Sequence, residues 1–232
     1  MAKKTKLGDR DYEILDHVRR YRLSTREILH KLFFDDSEIN AVSKVTSRLE
    51  RAGFLSSHDL DGAKKYYGLG SEACRLFGLS LKKTKPLGSQ ALPTELGMLH
   101  FCCASEVQRT RLLVGEISKS RPDWLAKGID SSHYYYDKLP GSEQAVLGLI
   151  RVDQGGPPDH IARKCAADIE KRLKIPAFTG LIEQGHFVIA VVTGHDNKAE
   201  LIKDTLARRS WTIRFRIEVC PDLATLISRT AV

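Results

Sequence analysis

The chain has 232 residues, 42% of them hydrophobic, and its 37 Lys and Arg against 29 Asp and Glu give a formal net charge of +8. No apolar run approaches a membrane span, and no signal-type apolar core follows the basic N-terminus, so we expect a cytoplasmic protein without a membrane segment. The five cysteines show no metal-ligand spacing with histidine, and the length allows two modest domains.

Two amphipathic helices are predicted first. Asp9 is the expected N-cap of a helix that runs to about Tyr21. The sequence Ser24-Thr25-Arg26-Glu27 resembles a capping box that opens a second helix. The predicted apolar positions are Tyr12, Ile14, Leu15 and Val18 on the first helix, and Ile28, Leu29, Leu32 and Phe33 on the second.

A third helix is predicted between Ser37 and Gly53, and its two faces differ sharply. The predicted buried stripe consists of Val42, Val45, Leu49 and Ala52, which recur at helical spacing. The opposite face carries donors, acceptors and positive charge without a large apolar group. Its members are Asn40, Ser43, Lys44, Ser47 and Arg51, with Arg48 on the flank.

A hairpin follows this helix, with strands at residues 54–56 and 65–67 around the turn Asp59-Leu60-Asp61-Gly62. Lys64 and Lys65 lie just past its tip. A polar helix followed by a basic-edged hairpin is the layout of a winged helix-turn-helix bound to double-stranded DNA. A winged helix used only for protein contacts is the alternative.

The positive charge is concentrated in the same part of the chain. Residues 1–86 hold 18 basic and 12 acidic side chains, whereas the rest of the chain holds 19 and 17. This excess would attract phosphates.

We predict a DNA-binding domain at residues 1–80, a linker at 81–93 and an α/β domain at 94–232. The linker LKKTKPLGSQALP combines basic clusters with Gly, Ser and Pro. A helix is expected from Thr94 to about Leu113, with Leu96, Leu99, Cys103 and Val107 as apolar positions. Strands and helices then alternate, which predicts a small, partly parallel sheet. The predicted strands are 145–152, 187–192 and 212–219, and the predicted helices are 159–174, 198–209 and 222–229.

Four segments carry a family resemblance: LGDRDYEILDHVRRYRLSTREILHKLFF, RLERAGFL, YYGLGSEACRLFG and AVLGLIRVDQGG. They resemble the replication-relaxation family, whose members are encoded on plasmids and other mobile elements. The resemblance implies a winged helix joined to a C-terminal domain similar to the restriction-endonuclease core. It also implies work at an origin, in replication control or conjugative mobilisation, since some related mobilisation proteins nick the transfer origin.

A nuclease of that kind needs two carboxylates for Mg²⁺ and a lysine that activates water. Family members often have Glu where this chain has Arg151, and the position two residues beyond Asp153 is Gly155 instead of Lys. A complete set would be Asp137, Asp153 and Lys164, although Ser132 or His133 could hold the place of the first carboxylate. Alternatively, Asp153 caps the next helix or turn beside Gly155 and Gly156, and Asp137 is solvated. The core is then a degenerate scaffold, which we favour.

Three functions therefore remain open from the sequence. The favoured one is a sequence-specific DNA-binding protein that needs no cofactor and acts at an origin. Its candidate partners are a relaxase, other transfer or replication proteins and a second copy of the chain. The second is an origin-nicking enzyme dependent on Mg²⁺ or Mn²⁺. The third is a transcriptional regulator of a mobile element.

Overall fold

The computed structural model describes residues 6–107, 109–138 and 145–230. Within these residues the chain is mixed α/β, with ten α-helices and two sheets, as the sequence predicts at that level. It divides into two compact units, Met1–Leu99 and His100–Val232. The division falls later in the chain than the linker predicted at residues 81–93.

The first unit pairs a helical cluster with a small antiparallel sheet of order β1-β3-β2. Its elements are α1 (Asp9–Tyr21), β1 (Ser24–Thr25), α2 (Arg26–Phe33), α3 (Ile39–Arg51), β2 (Leu55–Asp59), β3 (Lys65–Leu69), α4 (Ser71–Leu76), a 3₁₀ turn (Leu81–Thr84) and the start of α5 (Ala91–Cys103). The three helices and the hairpin predicted between residues 9 and 69 are confirmed as elements.

The apolar stripes of α1 and α2 form much of this core, with two corrections. Ile14, Val18 and Leu29 are fully buried, as their helical spacing predicts. Tyr12 and Leu32, which were assigned to the same stripes, are 46% and 41% exposed. Both lie at the margin of the apolar stripe of a short helix, where spacing alone does not decide burial.

The helix starts also differ by one residue from the prediction. Gly8 is the N-cap of α1 and Asp9 is its first helical residue. Thr25 caps α2, because its hydroxyl accepts a hydrogen bond from the Ile28 N–H at 3.3 Å. Ser24, the expected cap, instead pairs with Tyr67 as part of β1.

The second unit is built on a five-stranded sheet of order β4-β5-β6-β7-β8. Its elements after α5 are β4 (Arg109–Arg111), α6 (Val114–Ser120), a 3₁₀ turn (Pro122–Trp124), β5 (Tyr134–Lys138), β6 (Ala145–Val152), α7 (Pro158–Leu173), α8 (Pro176–Glu183), β7 (Phe187–Thr193), α9 (Asp196–Ala207), β8 (Arg214–Val219) and α10 (Pro221–Thr230). Strands β4, β5 and β6 are antiparallel, whereas β6, β7 and β8 are parallel. The predicted partly parallel sheet is confirmed.

One predicted element of this region is wrong. The helix expected to reach Leu113 ends at Cys103, and Val107 is exposed. Residues 109–111 instead pair with β5, with Arg109 opposite Asp137. Pairing between strands more than twenty residues apart leaves no signal in a local window, and helical spacing therefore misled the prediction. None of the helices in the described ranges is long and apolar enough to cross a membrane.

Candidate nucleic-acid interface

The polar face of α3 lies on the outside of the first unit. Asn40, Lys44, Ser47 and Arg51 are all exposed. They follow one another at spacings of four, three and four residues, so they form one stripe along the helix. At 1.5 Å per residue the stripe is roughly 16 Å long, which matches the reach of a helix lying in a DNA major groove.

Packing on the other side of α3 holds this stripe outward. Val42 and Leu49 are fully buried, and Thr46 between them is nearly so. The Thr46 hydroxyl donates to the Val42 carbonyl oxygen at 3.0 Å, which satisfies the hydroxyl within the helix. Exposing Val42 and Leu49 would lose the free energy gained by burying them. The rotation of the helix about its own axis is therefore fixed.

Arg48, on the flank of the stripe, is already engaged. Its guanidinium lies 2.5 Å from the carboxylate of the buried Asp11 on α1. The other oxygen of Asp11 accepts the Gly8 N–H at 3.0 Å, so the same carboxylate also holds the start of α1. Arg48 therefore joins α3 to α1, and we remove it from the set of residues expected to contact DNA. Ser43 is half-buried and lies at the edge of that set.

The start of α3 is held by hydrogen bonds from Arg26, a residue for which the sequence predicted no such role. Arg26, the first residue of α2, donates to the Asn40 side-chain oxygen at 3.2 Å and to the Ile39 carbonyl oxygen at 3.3 Å. These bonds orient the Asn40 amide and link the first turns of the two helices. The only sequence signal for this role was the position of Arg26 inside the predicted capping box.

The β2–β3 hairpin presents the second predicted contact. Asp59 pairs with Lys65 at the last rung of the ladder, and both Lys64 and Lys65 are exposed. The Asp59 carboxylate accepts the Gly62 N–H at 2.8 Å, and the Asp61 carboxylate accepts the Lys64 N–H at 2.7 Å. These hydrogen bonds hold the turn backbone, and Asp59 and Asp61 place two negative charges beside Lys64 and Lys65.

In the second unit, strand register separates the two candidate catalytic carboxylates. Asp137 on β5 stands opposite Val146, near the start of β6, whereas Asp153 follows the end of the same strand. The seven residue steps from Val146 to Asp153 span roughly 23 Å in a β-strand. Asp137 and Asp153 therefore cannot hold one metal ion together, and the predicted set of Asp137, Asp153 and Lys164 does not converge.

Each of these carboxylates has a structural partner instead. Asp137, which was expected to be solvated, is 1% exposed, because it lies on a buried strand and forms an ion pair with Arg216 on β8. Asp153, 4% exposed, lies 2.9 Å from the Lys198 ammonium and accepts the Thr193 hydroxyl at 3.0 Å. The lysine that meets Asp153 thus comes from α9.

The positions expected to complete the site do not reach it. Lys164 is exposed on α7, while its neighbour Cys165 faces the core. Gly155 has a φ of +100°, and a side chain there would lie 2.6 Å from Ile227 on α10. A lysine at Gly155 would therefore be strained and would clash. The Gly155 N–H donates to Asp153 at 3.1 Å, as the turn-capping interpretation predicts.

A buried polar network that no sequence pattern indicated lies near the end of β6. Arg151 donates two hydrogen bonds to Asp168 on α7. The buried Arg172, one turn later, contacts the same carboxylate at 3.4 Å and donates to the Tyr134 hydroxyl at 2.9 Å. Arg151 is therefore neutralised from the neighbouring helix.

Asp130 lies two residues before Ser132 and three before His133, the two alternative positions for the first nuclease carboxylate. It precedes β5, and the Ile150 N–H donates to the carbonyl oxygen of nearby His133 at 2.9 Å. The His133 ring, 3.0 Å away, holds the pKa of the Asp130 carboxyl well below its usual range. Among the described residues, no group of three His, Cys, Asp or Glu side chains is arranged to hold a metal ion.

Comparisons of the chain with protein-family models, with curated proteins and with solved structures found no match.

Proposed function

We propose that the chain is a sequence-specific double-stranded DNA-binding protein whose first unit acts as a winged helix. In this proposal α2 and α3 form the helix-turn-helix, and the β2–β3 hairpin is the wing. The observation that carries it is the exposed stripe of Asn40, Lys44, Ser47 and Arg51, set on a helix whose opposite face is buried. Amide, hydroxyl and cationic groups in that arrangement match base edges and phosphates in the major groove.

The distribution of charge supports the proposal. Residues 1–86 contribute +6 of the net +8. Lys44 and Arg51 on α3 and Lys64 and Lys65 on the hairpin are all exposed, and exposed cations attract phosphates. A surface used only for protein contacts usually includes large apolar or aromatic side chains, and the α3 stripe has none.

The resemblance to the replication-relaxation family supplies the proposed setting. We place the activity at an origin of a plasmid or integrative element, in conjugative mobilisation or replication control. A relaxase and other transfer or replication proteins would then be partners, and a second copy of the chain would extend the DNA site. Regulation of transcription on such an element is the alternative that the same DNA-binding surface would serve.

For the second unit we propose a scaffold role on a degenerate restriction-endonuclease-like core. The distance between Asp137 and Asp153 and the pairing of Arg151 with Asp168 support this. The protein should therefore bind supercoiled DNA of its own element in the presence of Mn²⁺ without nicking it. Nicking that is specific to the origin, survives repurification and disappears in Asp153→Ala would contradict the scaffold role.

Selection from a pool of random duplexes tests the DNA-binding proposal. The full-length protein is mixed with the pool at moderate salt, bound duplexes are recovered over several rounds, and the recovered sequences are compared with those from a Lys44→Ala/Arg51→Ala variant. We expect the parent to enrich a motif that the variant does not. If the parent enriches no motif, or if the variant enriches the same motif equally well, the proposed recognition surface is wrong.

A further inference from the structure

A cavity of about 270 Å³ lies within the first unit, away from the α3 stripe. Residues of α1, of the β2–β3 hairpin and of the segment 79–91 line it. That volume approaches the lower end of the range for small-molecule sites. The cavity plays no part in the DNA-binding proposal above.

The inner walls of the cavity are apolar and buried. Val18, Tyr66 and Leu69 line it and are almost completely buried. The Tyr66 hydroxyl accepts the Leu87 N–H at 2.8 Å, which fastens the segment after the 3₁₀ turn over the hairpin. A hydrogen bond thus attaches the segment at Leu87 to strand β3, beside the Tyr66 ring that lines the cavity.

The rim of the cavity is strongly basic. Arg19, Arg22, Lys82, Lys83 and Lys85 all line it. Arg19 is paired with Asp16 and Arg22 with Glu95, at 2.6 and 2.7 Å. In the described part of the chain no ion pair joins a carboxylate to the three lysines, all of which are exposed. The rim therefore keeps a surplus of three positive charges beside an apolar interior.

His58 adds a neutral polar group to the wall. Its ring nitrogen lies 3.1 Å from the Ser56 hydroxyl, and burial lowers the pKa of the imidazole below its ordinary value. At neutral pH the ring is therefore uncharged and offers hydrogen bonding without further charge. Apolar walls with a few convergent polar groups are typical of small-molecule sites.

We propose that this cavity binds a small amphipathic anion, with its apolar body against Val18, Tyr66 and Leu69 and its anionic group at Lys82 and Lys83. A carboxylate and a phosphate monoester share this chemistry. The proposal is independent of DNA binding, because every group it uses lies outside the α3 stripe and the hairpin tip.

Two fluorescent probes of similar shape test the proposal on the nucleic-acid-free, full-length protein. 8-Anilino-1-naphthalenesulfonate carries an anionic group, and N-phenyl-1-naphthylamine has the same rings without it. We expect the anionic probe to bind about tenfold more tightly than the neutral one, which is the gain from one or two charge-assisted hydrogen bonds. Octanoate and octyl phosphate should displace it more effectively than 1-octanol, and the better of the two identifies the head group.

Matched variants separate this site from general surface binding. In Lys82→Ala/Lys83→Ala we expect the affinity for the anionic probe to fall about tenfold, while the neutral probe is unaffected. The control is Lys119→Ala/Lys127→Ala, two exposed lysines of the second unit, which should change neither affinity.

A second variant fills the cavity. A side chain at Gly68 would start at ordinary contact distance, 3.5 Å from the Ser56 hydroxyl, and extend into the space. Gly68→Leu should therefore abolish binding of both probes, whereas Gly115→Leu, at an open helical position, should not. Unchanged binding in Gly68→Leu, or equal loss in the two lysine pairs, would overturn the proposal. If Gly68→Leu does not fold, the lysine comparison alone decides.

Discussion

The two units differ in what surrounds their charged side chains. On α3 the polar groups are exposed and most of them make few bonds within the protein. Around the end of β6, by contrast, Arg151, Asp168 and Arg172 are joined to one another and to the backbone. Both sets are polar residues on helices or strands with an apolar opposite face. Sequence patterns therefore do not show which set is exposed and which is buried.

The difference has a physical consequence for function. A buried charge must be paired, because removing it from water is costly, and a paired charge has little capacity left for a ligand. An exposed side chain keeps its hydrogen-bond donors and acceptors, and it can use them to bind a ligand. Candidate binding residues are therefore found on α3, whereas the buried Asp137, Asp153 and Asp168 join different elements of the second unit.

The largest expected effect concerns the buried network. Asp168→Ala should lower the free energy of unfolding by about 3–5 kcal/mol, because it removes the carboxylate from two arginines, one of them 1% exposed. Both tryptophans, Trp124 and Trp211, lie in the second unit, so urea unfolding followed by their fluorescence reports on it. Glu170→Ala is the control.

Glu170 lies on the same helix but is exposed, and pairs only with Lys174. We expect no measurable change from its replacement. If Asp168→Ala and Glu170→Ala lowered the free energy of unfolding equally, burial would not explain how much these ion pairs contribute to stability.

The next effect tests a buried polar group in the first unit. Burial lowers the pKa of His17 to about 4, and its ring contacts the Ser24 hydroxyl at 3.0 Å. Between pH 6.5 and 4 the unfolded chain binds a proton at this residue that the folded protein excludes, so stability falls as the pH falls. From pH 7 to pH 5 this costs about 2 kcal/mol.

His17→Gln should lack that part of the pH dependence. The measurement is the free energy of urea unfolding, followed by far-ultraviolet circular dichroism at both pH values. His58 and His100 also have lowered pKa values and remain in both proteins, so they cancel in the comparison. An equal loss of stability in parent and variant would show that His17 accepts its proton in the folded state.

The smallest expected effect concerns the hairpin. Lys64→Ala/Lys65→Ala should reduce the salt dependence of DNA binding by roughly one unit of slope per lost phosphate contact, equally on all sequences. The effect on affinity should be modest, since Asp59 and Asp61 share the tip. An unchanged slope, compared with Lys119→Ala/Lys127→Ala as control, would exclude the hairpin from the interface.

Much of the fold followed from local patterns. Helical spacing located α1, α2, α3 and α7, and continuous apolar runs located β6 and β7. Strands β4 and β5 were missed, because their pairing depends on contacts distant in sequence. The spacing of Val107 after Cys103 even favoured the wrong element.

The candidate interface was predicted more fully than the second unit's polar residues. The stripe from Asn40 to Arg51 could be derived because one helical period relates its members. The role of Arg48 could not, because Asp11 is 37 residues away and meets it only in the folded core. The same holds for Lys198. It lies on α9, which is separated from Asp153 in the chain by α7, α8 and β7.

Affinity of the α3 variant for DNA tests the central claim most directly. The motif enriched by the parent protein and a scrambled duplex are titrated with parent, Lys44→Ala/Arg51→Ala and the control Lys119→Ala/Lys127→Ala, which removes two exposed cations of the second unit. We predict that the α3 variant loses about 1–3 kcal/mol of binding free energy per base-reading side chain on the motif, and much less on the scrambled duplex. Its thermal unfolding should match that of the parent. A variant that binds the motif as tightly and as selectively as the parent would contradict the assignment of α3 as the recognition helix.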